Sequence, residues 1–552
     1  MRHLRLVLSI LLLGLTGSAL GAGPPPGLLH QATQTGSVRV IVTLRLPTRP
    51  EGLLGPADAA RQQESIAALQ GTVLAALQGV RARAVRRFRH IPYLALETDA
   101  AGLDRLANSP WVAGLQADPL ARPLLAESAP LVGGDAMALA GYDGSGQAVA
   151  VLDTGVETSH PFLTGKTVAE ACYSTTYAGY ASSTLCPDGA DASTAPGAGV
   201  NCSGMDGCDH GTHVAGIAVG RDPGGLGFNG VARGASLIPI QVFSRFDASS
   251  VCYPSPTPCI LSYGSDQLAA LEHVYDLRNS LTIAAVNMSL GGGLYSSFCD
   301  DSNGPLKAAI DNLRSVGIAT VIASGNDGAT GQISAPACIS TAISVGASCD
   351  GSSGYCPGGV DTIAGYSNVA SFLSLLAPGS LIQSSVPGGA YAGFNGTSMA
   401  TPHVAGTWAL LRQRSPAIGV DTALRLLRDT AHPIDDTRSG GSLTGLPRID
   451  LANLLRQDPD HDDLAAVSDN CALETNPDQR DSNGDGFGNL CDPDLDNDGD
   501  VDGADLDQFR TAFLGSAPDP DLDGDGRVNF ADLSRLRKYF GGPPGPAHSA
   551  LP

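Results

Sequence analysis

Gly396-Thr397-Ser398-Met399-Ala400-Thr401-Pro402-His403-Val404-Ala405-Gly406 reads as a turn feeding a helix. Gly396 is placed to free the backbone just before Ser398. Ala400, Val404 and Ala405 are small enough to let the helix pack closely on a sheet. A serine at a helix start lies beside free backbone N–H groups and the positive end of the helix dipole. A developing oxyanion would be stabilised there. Serine is also a common N-cap for purely structural reasons, so the residues upstream decide between the two readings.

Upstream, from about Ser128, unbroken apolar runs alternate with helical patterns. The runs are Ala148–Leu152, Leu237–Phe243, Ala284–Leu290, Ala319–Ala323 and Ala342–Gly346. Helical spacing falls at His210–Val219, Gln267–Leu277, Leu306–Val316 and Ser398–Gln413. Continuous apolar strands alternating with helices predict a mostly parallel sheet covered on both faces, a three-layer, doubly wound α/β domain. Active sites of such sheets gather beyond the carboxyl ends of the strands. That brings together Asp153, Ser289 and Asn326, which end or follow strands, with His210 and Ser398, which open helices. Ser398 is then the candidate nucleophile, His210 its general base and Asp153 the carboxylate orienting the imidazole. The Asn326 amide and the Ser398 N–H are candidate oxyanion donors. Asp206 and Asp209 also flank His210, but Asp153 has the strand-end context. His213 and His403 are read as structural.

The motifs Asp153-Thr-Gly155, His210-Gly-Thr-His-Val-Ala-Gly216, Ser324-Gly-Asn326 and Gly396-Thr-Ser-Met-Ala-Thr-Pro-His403 stand in the order Asp, His, Ser. With them the chain resembles a subtilase, a subtilisin-like serine peptidase, over about 128–455. The resemblance implies a substrate cleft with Ser289-Leu290-Gly291-Gly292 as one wall, its backbone pairing with an extended peptide. Tyr263-Gly264-Ser265 is the candidate for the opposite wall. Asp327, beside Asn326, is an expected contact for basic side chains. Protein or peptide substrates follow, with an endopeptidase as the leading reading. A catalytically silent scaffold and an exopeptidase on the same fold are the alternatives, and no residue gripping a free amino terminus is identifiable.

Arg2, His3 and Arg5 precede an apolar run, Leu6–Leu15, and small residues at Gly17–Ala22, the pattern of a secretory leader. The expected division is a signal peptide over 1–22, an inhibitory propeptide over 23–125, a peptidase domain over 126–456, thrombospondin type 3-like repeats over 457–492, a dockerin or EF-hand-like module over 493–541 and a flexible tail over 542–552. The propeptide rests on position and on α+β patterning: strands at Val38–Leu46, Tyr93–Glu97 and Val112–Gln116, helices at Pro56–Leu77 and Gly102–Ala107. Arg81–Arg89 reads as a solvated basic loop. By resemblance the segment inhibits the domain it precedes, with cleavage expected around Leu120–Leu131. The 12 cysteines agree with export; Cys202–Cys208, Cys252–Cys259, Cys349–Cys356 and Cys471–Cys491 are plausible local pairs. No stretch after the leader is long and apolar enough for a membrane span. The net charge of −22 argues against nucleic acid as partner.

Most of the excess acid lies beyond Asp458. Asp494, Asp496, Asp498, Asp500, Asp502 and Asp505 carry oxygen ligands at EF-hand spacing, with Gly499 at the sharp turn. Asp521, Asp523, Asp525, Asn529 and Asp532 repeat the pattern, as do Asp481, Asn483, Asp485 and Asp492. Asp458–Asp469 is a poorer fourth loop without the glycine. Position twelve is Asp where an EF-hand has Glu. Helices are expected at Asp505–Phe513 and Asp532–Phe540. The region resembles thrombospondin type 3 repeats followed by a dockerin-type module. Structural Ca2+ is the implied cofactor, with a partner protein for the module as a further expectation.

Overall fold

A computed structural model describes residues 24–118, 120–123, 130–351, 355–455, 469–471, 473–476 and 478–545. The expected leader, 1–22, and most of the poorer acidic loop lie outside the described residues. Among them no helix is long and apolar enough to cross a membrane.

The centre is a ten-stranded sheet in the order His432–Ile434, Leu446–Arg448, Leu375–Pro378, Ile343–Ser348, Ala319–Ala323, Ile283–Met288, Ala148–Asp153, Ser236–Gln241, Ala171–Tyr173, Ala192–Ser193. Only the two outermost pairings are antiparallel. Ala148–Asp153 pairs in parallel with Ser236–Gln241 on one side and Ile283–Met288 on the other. The strand order therefore reverses at Ala148–Asp153, and the crevice of a doubly wound sheet opens beyond its carboxyl end, where Asp153 sits.

Both faces are buried, as the apolar runs require. Val149 and Val151 join one core with Val214, Ile217, Val404 and Trp408 from helices His210–Val219 and Thr397–Arg414. Ala148, Ala150 and Leu152 join the other with Leu268, Leu271 and Ile310 from Gly264–Leu277 and Gly304–Arg314. Helix Thr397–Arg414 is buried almost throughout and carries Pro402 inside it. Strand Leu375–Pro378 and the hairpin Ser380–Val386/Ala390–Asn395 are additions that the apolar runs did not reveal.

Residues 26–117 form a four-stranded antiparallel sheet, Ala82–Arg87, Tyr93–Thr98, Val38–Leu44, Val112–Ala117, with three helices. Period-two alternation divides the central strand. Val38, Val40 and Val42 pack inward on Val73, Leu103 and Leu106. Ile41 joins Phe88 and Ile91 in the core cluster that contains Leu268 and Ile310. Arg81–Arg89, read as a solvated loop, is largely the edge strand Ala82–Arg87. Arg86 Nη2 donates to Asp266 Oδ1 at 2.9 Å, and Asp266 is fully buried. Arginine-rich composition hid this strand: Arg86 is neutralised by Asp266 of the neighbouring domain, and Arg83 pairs with Glu97 of the module itself. Helix Pro26–Thr35 was also missed, although Pro at its start and left-handed Gly36 after it are local signals.

All four expected disulfides are present, with Cys172–Cys186 and Cys299–Cys338 in addition. In the tail, helices Gly503–Ala512 and Phe530–Tyr539 enclose a small core of Val501, Phe509, Leu522, Val528 and Leu536.

Candidate active site

Asp153 is the last residue of its strand and His210 the first of its helix. His210 Nδ1 donates to Asp153 Oδ1 at 2.7 Å, and both side chains are fully buried. The same oxygen accepts the Thr154 N–H at 2.7 Å. Gly155 makes the turn possible: its φ is 83°, and a Cβ there would lie 2.1 Å from the Val200 carbonyl. Asp206 and Asp209 take no part in this pair.

Ser398 is the second residue of helix Thr397–Arg414, which packs on helix His210–Val219. Its Oγ donates to the Ser289 carbonyl at 3.3 Å, and Ser289 Oγ donates to the Ser398 carbonyl at 2.7 Å. Asn287 Nδ2 donates to Ser289 Oγ at 2.9 Å. Gly396 does not supply the conformational freedom expected of it. Its φ of 166° and ψ of 163° are extended backbone open to any residue.

Asn326 follows strand Ala319–Ala323 by three residues. Its Oδ1 accepts two hydrogen bonds from Thr397, at 2.9 Å from N and 3.0 Å from Oγ1. With the oxygen so engaged, the amide NH2 is the donor end left to Asn326. Thr397 escaped the sequence reading, and its place one residue before the candidate nucleophile was the available signal. Asp327 Oδ2 already accepts from Asn368 Nδ2 at 2.9 Å. His213 is buried, 3.0 Å from the Ala392 carbonyl through Nε2, and burial pushes its pKa down to about 3. His403 Nδ1 lies 2.6 Å from the Met399 carbonyl. Both contacts suit structural roles.

A strand of the same chain lies next to Ser289, the residue that meets Ser398. Strand Leu120–Pro123 pairs antiparallel with Cys259–Tyr263 through Tyr263↔Leu120 and Ser262↔Ala121. On its other side it pairs antiparallel with Leu290–Tyr295 through Leu290↔Pro123 and Gly291↔Arg122. Leu290 and Gly291 thus border the inserted strand, whereas Ser289 faces Ser398. On the opposite side the paired residues are Ser262 and Tyr263; Gly264 lies just past them as the first residue of a helix.

In the tail the three acidic loops share one internal pattern. The position-six glycine N–H donates to the position-one carboxylate: Gly486 to Asp481 at 3.1 Å, Gly499 to Asp494 at 2.8 Å and Gly526 to Asp521 at 3.1 Å. Asp502 and Asn529 cap the two helices, and Asp505 and Asp532 complete the capping boxes. Ligand oxygens of Asp494, Asp496 and Asp505 lie within 4.8 Å of one another, as do those of Asp521, Asp523 and Asp525. Asp521 is only 4% exposed, and its Oδ1 has no hydrogen-bond partner. Burial and neighbouring carboxylates raise Asp485, Asp494 and Asp523, and push Asp492 up to about 8. An all-oxygen donor set that includes a buried, unpartnered carboxylate oxygen, Asp521 Oδ1, fits a hard divalent cation.

A buried His-Asp pair at the mouth of a doubly wound parallel sheet, with a buried serine opening the helix packed on the histidine's helix, makes a candidate serine-hydrolase site. The chain belongs to the subtilase family, whose model matches residues 144–488. Subtilisin NAT of Bacillus subtilis subsp. natto is 31% identical over 338 residues, 60% of this chain and 73% of its own. M-protease of Shouchella clausii (strain KSM-K16) is 30% identical over 374 residues, 67% of this chain and 82% of its own. Subtilisin of Bacillus pumilus is 32% identical over 279 residues, 50% of this chain and 80% of its own. The protein is a serine-type peptidase with the subtilisin α/β fold.

Proposed function

We propose that this chain is a secreted serine endopeptidase made as a preproprotein, with residues 23–125 acting as an inhibitory propeptide. The observation that carries the reading is strand Leu120–Pro123, held between Cys259–Tyr263 and Leu290–Tyr295 and leading toward Ser398. A chain that enters the cleft in this way is a substrate before the cut and a product inhibitor after it. Processing falls downstream of Pro123. An exopeptidase would need a closed end gripping a free amino terminus, whereas a strand arriving from a folded module fits a cleft that accepts internal peptide.

Ser398 Oγ attacks the scissile carbonyl while His210 Nε2 takes its proton, and Asp153 holds Nδ1–H in the tautomer that leaves Nε2 free to accept. The Asn326 NH2 and the Ser398 N–H stabilise the oxyanion. His210 then protonates the leaving amine, and a water activated the same way releases the acyl group. Ca2+ bound in the tail would neutralise carboxylates that otherwise repel one another. Asp494, Asp496, Asp498, Asp500, Asp502 and Asp505 would hold one ion, Asp521, Asp523, Asp525, Asn529 and Asp532 a second, and Asp481, Asn483, Asp485 and Asp492 a third.

The test compares wild type and Ser398→Ala, produced with calcium, by intact mass and hydrolysis of denatured casein. Loss of the leading module and casein cleavage by wild type only is expected. Retention of the module by both, with no cleavage, would favour the silent scaffold.

A further inference from the structure

The inserted strand is the centre of a six-stranded sheet in the order Ile333–Ala335, Leu290–Tyr295, Leu120–Pro123, Cys259–Tyr263, Ser244–Phe246, Ser182–Thr184. When the inserted strand leaves, two wall strands become free edges. The Leu290 wall continues directly from the central sheet, since Met288 pairs with Leu152 and Ile322. The opposite wall leads into helix Gly264–Leu277 and sets Ile260 in the main core, but its strand pairing is short. Cys259–Tyr263 has three paired residues with Ser244–Phe246, and Ser244–Phe246 has three with Ser182–Thr184. Two covalent and polar braces compensate. The Cys252–Cys259 disulfide ties helix Ser249–Cys252 to the first residue of the wall strand, at the level where Phe246 pairs with Cys259. At the strand's other end the Tyr263 hydroxyl lies 2.9 Å from Ser182 Oγ. Tyr177, Phe246, Cys252, Cys259, Leu261 and Tyr263 bury one another in a small separate core.

We propose that the Cys252–Cys259 disulfide is a positioning element for peptide substrates: it keeps the Cys259–Tyr263 wall as a preformed edge, and so sets how far upstream of the scissile bond the enzyme reads its substrate. This rests on the cleft reading above. Strand addition draws its affinity from main-chain hydrogen bonds, and an edge that must first be ordered returns part of that affinity as entropy. The residues nearest the scissile bond meet the Leu290 wall, which needs no brace. The residues further upstream, in the places of Leu120 and Ala121, meet the braced wall. Loss of the disulfide therefore acts on long substrates and spares short ones.

The experiment measures kcat and KM on peptides with one to five residues upstream of the cleaved bond, for mature wild type, Cys252→Ala and Ser182→Ala. Wild type gains kcat/KM as the peptide lengthens. In Cys252→Ala the gain beyond two residues shrinks by about tenfold, the worth of one to two backbone hydrogen bonds. The change appears in KM, and cleavage of the shortest peptide is unaltered. Ser182→Ala, which removes the Tyr263 brace without touching a cysteine, shows a smaller loss of the same shape and stands alone if Cys252→Ala does not fold. An equal fractional loss at every length, or an unchanged length profile, overturns the proposal. Undiminished cleavage by Ser398→Ala would instead overturn the catalytic reading beneath it.

Discussion

His90 offers the sharpest quantitative prediction, because it lies where the leading module meets the peptidase body. Its ring donates through both nitrogens, at 2.9 Å to Glu51 and 2.8 Å to Asp276, and its side chain is 2% exposed. Its backbone N–H and that of Arg89 donate to Glu272 at 2.8 and 3.0 Å, and Tyr275 packs edge-on at 4.8 Å. Burial alone would lower the His90 pKa. The hydrogen bonds to Asp276 and Glu51, with the field of Glu51 and Glu272, override it and raise the value from 6.5 to about 9. A group raised in the folded state gives stability that is complete below 6.5 and lost as pH rises through 9. At about 1.4 kcal/mol per pH unit the ceiling is roughly 3 kcal/mol. Asp276 is 47% exposed, so solvent screening reduces the expectation to about 2 kcal/mol. Glu272 acts in the same direction at lower pH. Burial raises it from 4.5 to about 7, so its ionisation weakens the interface across that interval. The assay is hydrogen exchange of the leading module in uncut Ser398→Ala protein from pH 5 to 10. Protection should fall by roughly thirtyfold between pH 6.5 and 9, and His90→Gln should flatten that interval. A module equally protected at pH 6.5 and 9, or an unchanged slope in His90→Gln, would refute the reasoning.

Asn326→Ala should lower kcat by about 100- to 1,000-fold with little change in KM, the loss that removal of one oxyanion donor causes in subtilisin; steady-state kinetics on a chromogenic peptide reads it. Thr397→Val removes one of the two bonds holding Asn326 Oδ1 and should cost less, about tenfold in kcat. Arg39→Ala takes away a guanidinium bonded at 2.9 Å to Asp118 and 2.6 Å to Ser265. It should destabilise the uncut protein by about 3 kcal/mol, seen in chemical denaturation. Chelation of calcium should melt helices Gly503–Ala512 and Phe530–Tyr539 by circular dichroism, and Asp521→Ala should weaken calcium binding measured by calorimetry.

The central sheet was legible because strands buried on both faces must be apolar throughout, as Ala148–Leu152 and Ala319–Ala323 are. The candidate site residues stand out in the sequence because the chemistry they would serve fixes their identity and the strand ends fix their place. Short strands such as Leu446–Arg448 were not, since three residues carry no periodicity. Nor was strand Ala82–Arg87, whose arginines look solvated until Asp266 is placed opposite Arg86. The Thr397–Asn326 contact joins residues 71 apart in sequence, and Arg39–Asp118–Ser265 joins two modules; no local pattern announces either.

On the proposed reading, the inserted strand also measures the gap that a processed enzyme would present. Two wall strands with one chain between them stand two strand spacings apart, about 9.5 Å. A helix with its side chains is about 10–12 Å across, and a hairpin brings a second chain that finds no partner. The slot therefore admits one polypeptide at a time, and only when it is straight. A folded protein would thus be attacked at a rate set by its own local unfolding, so the target's stability, as much as its sequence, would decide what such a peptidase degrades.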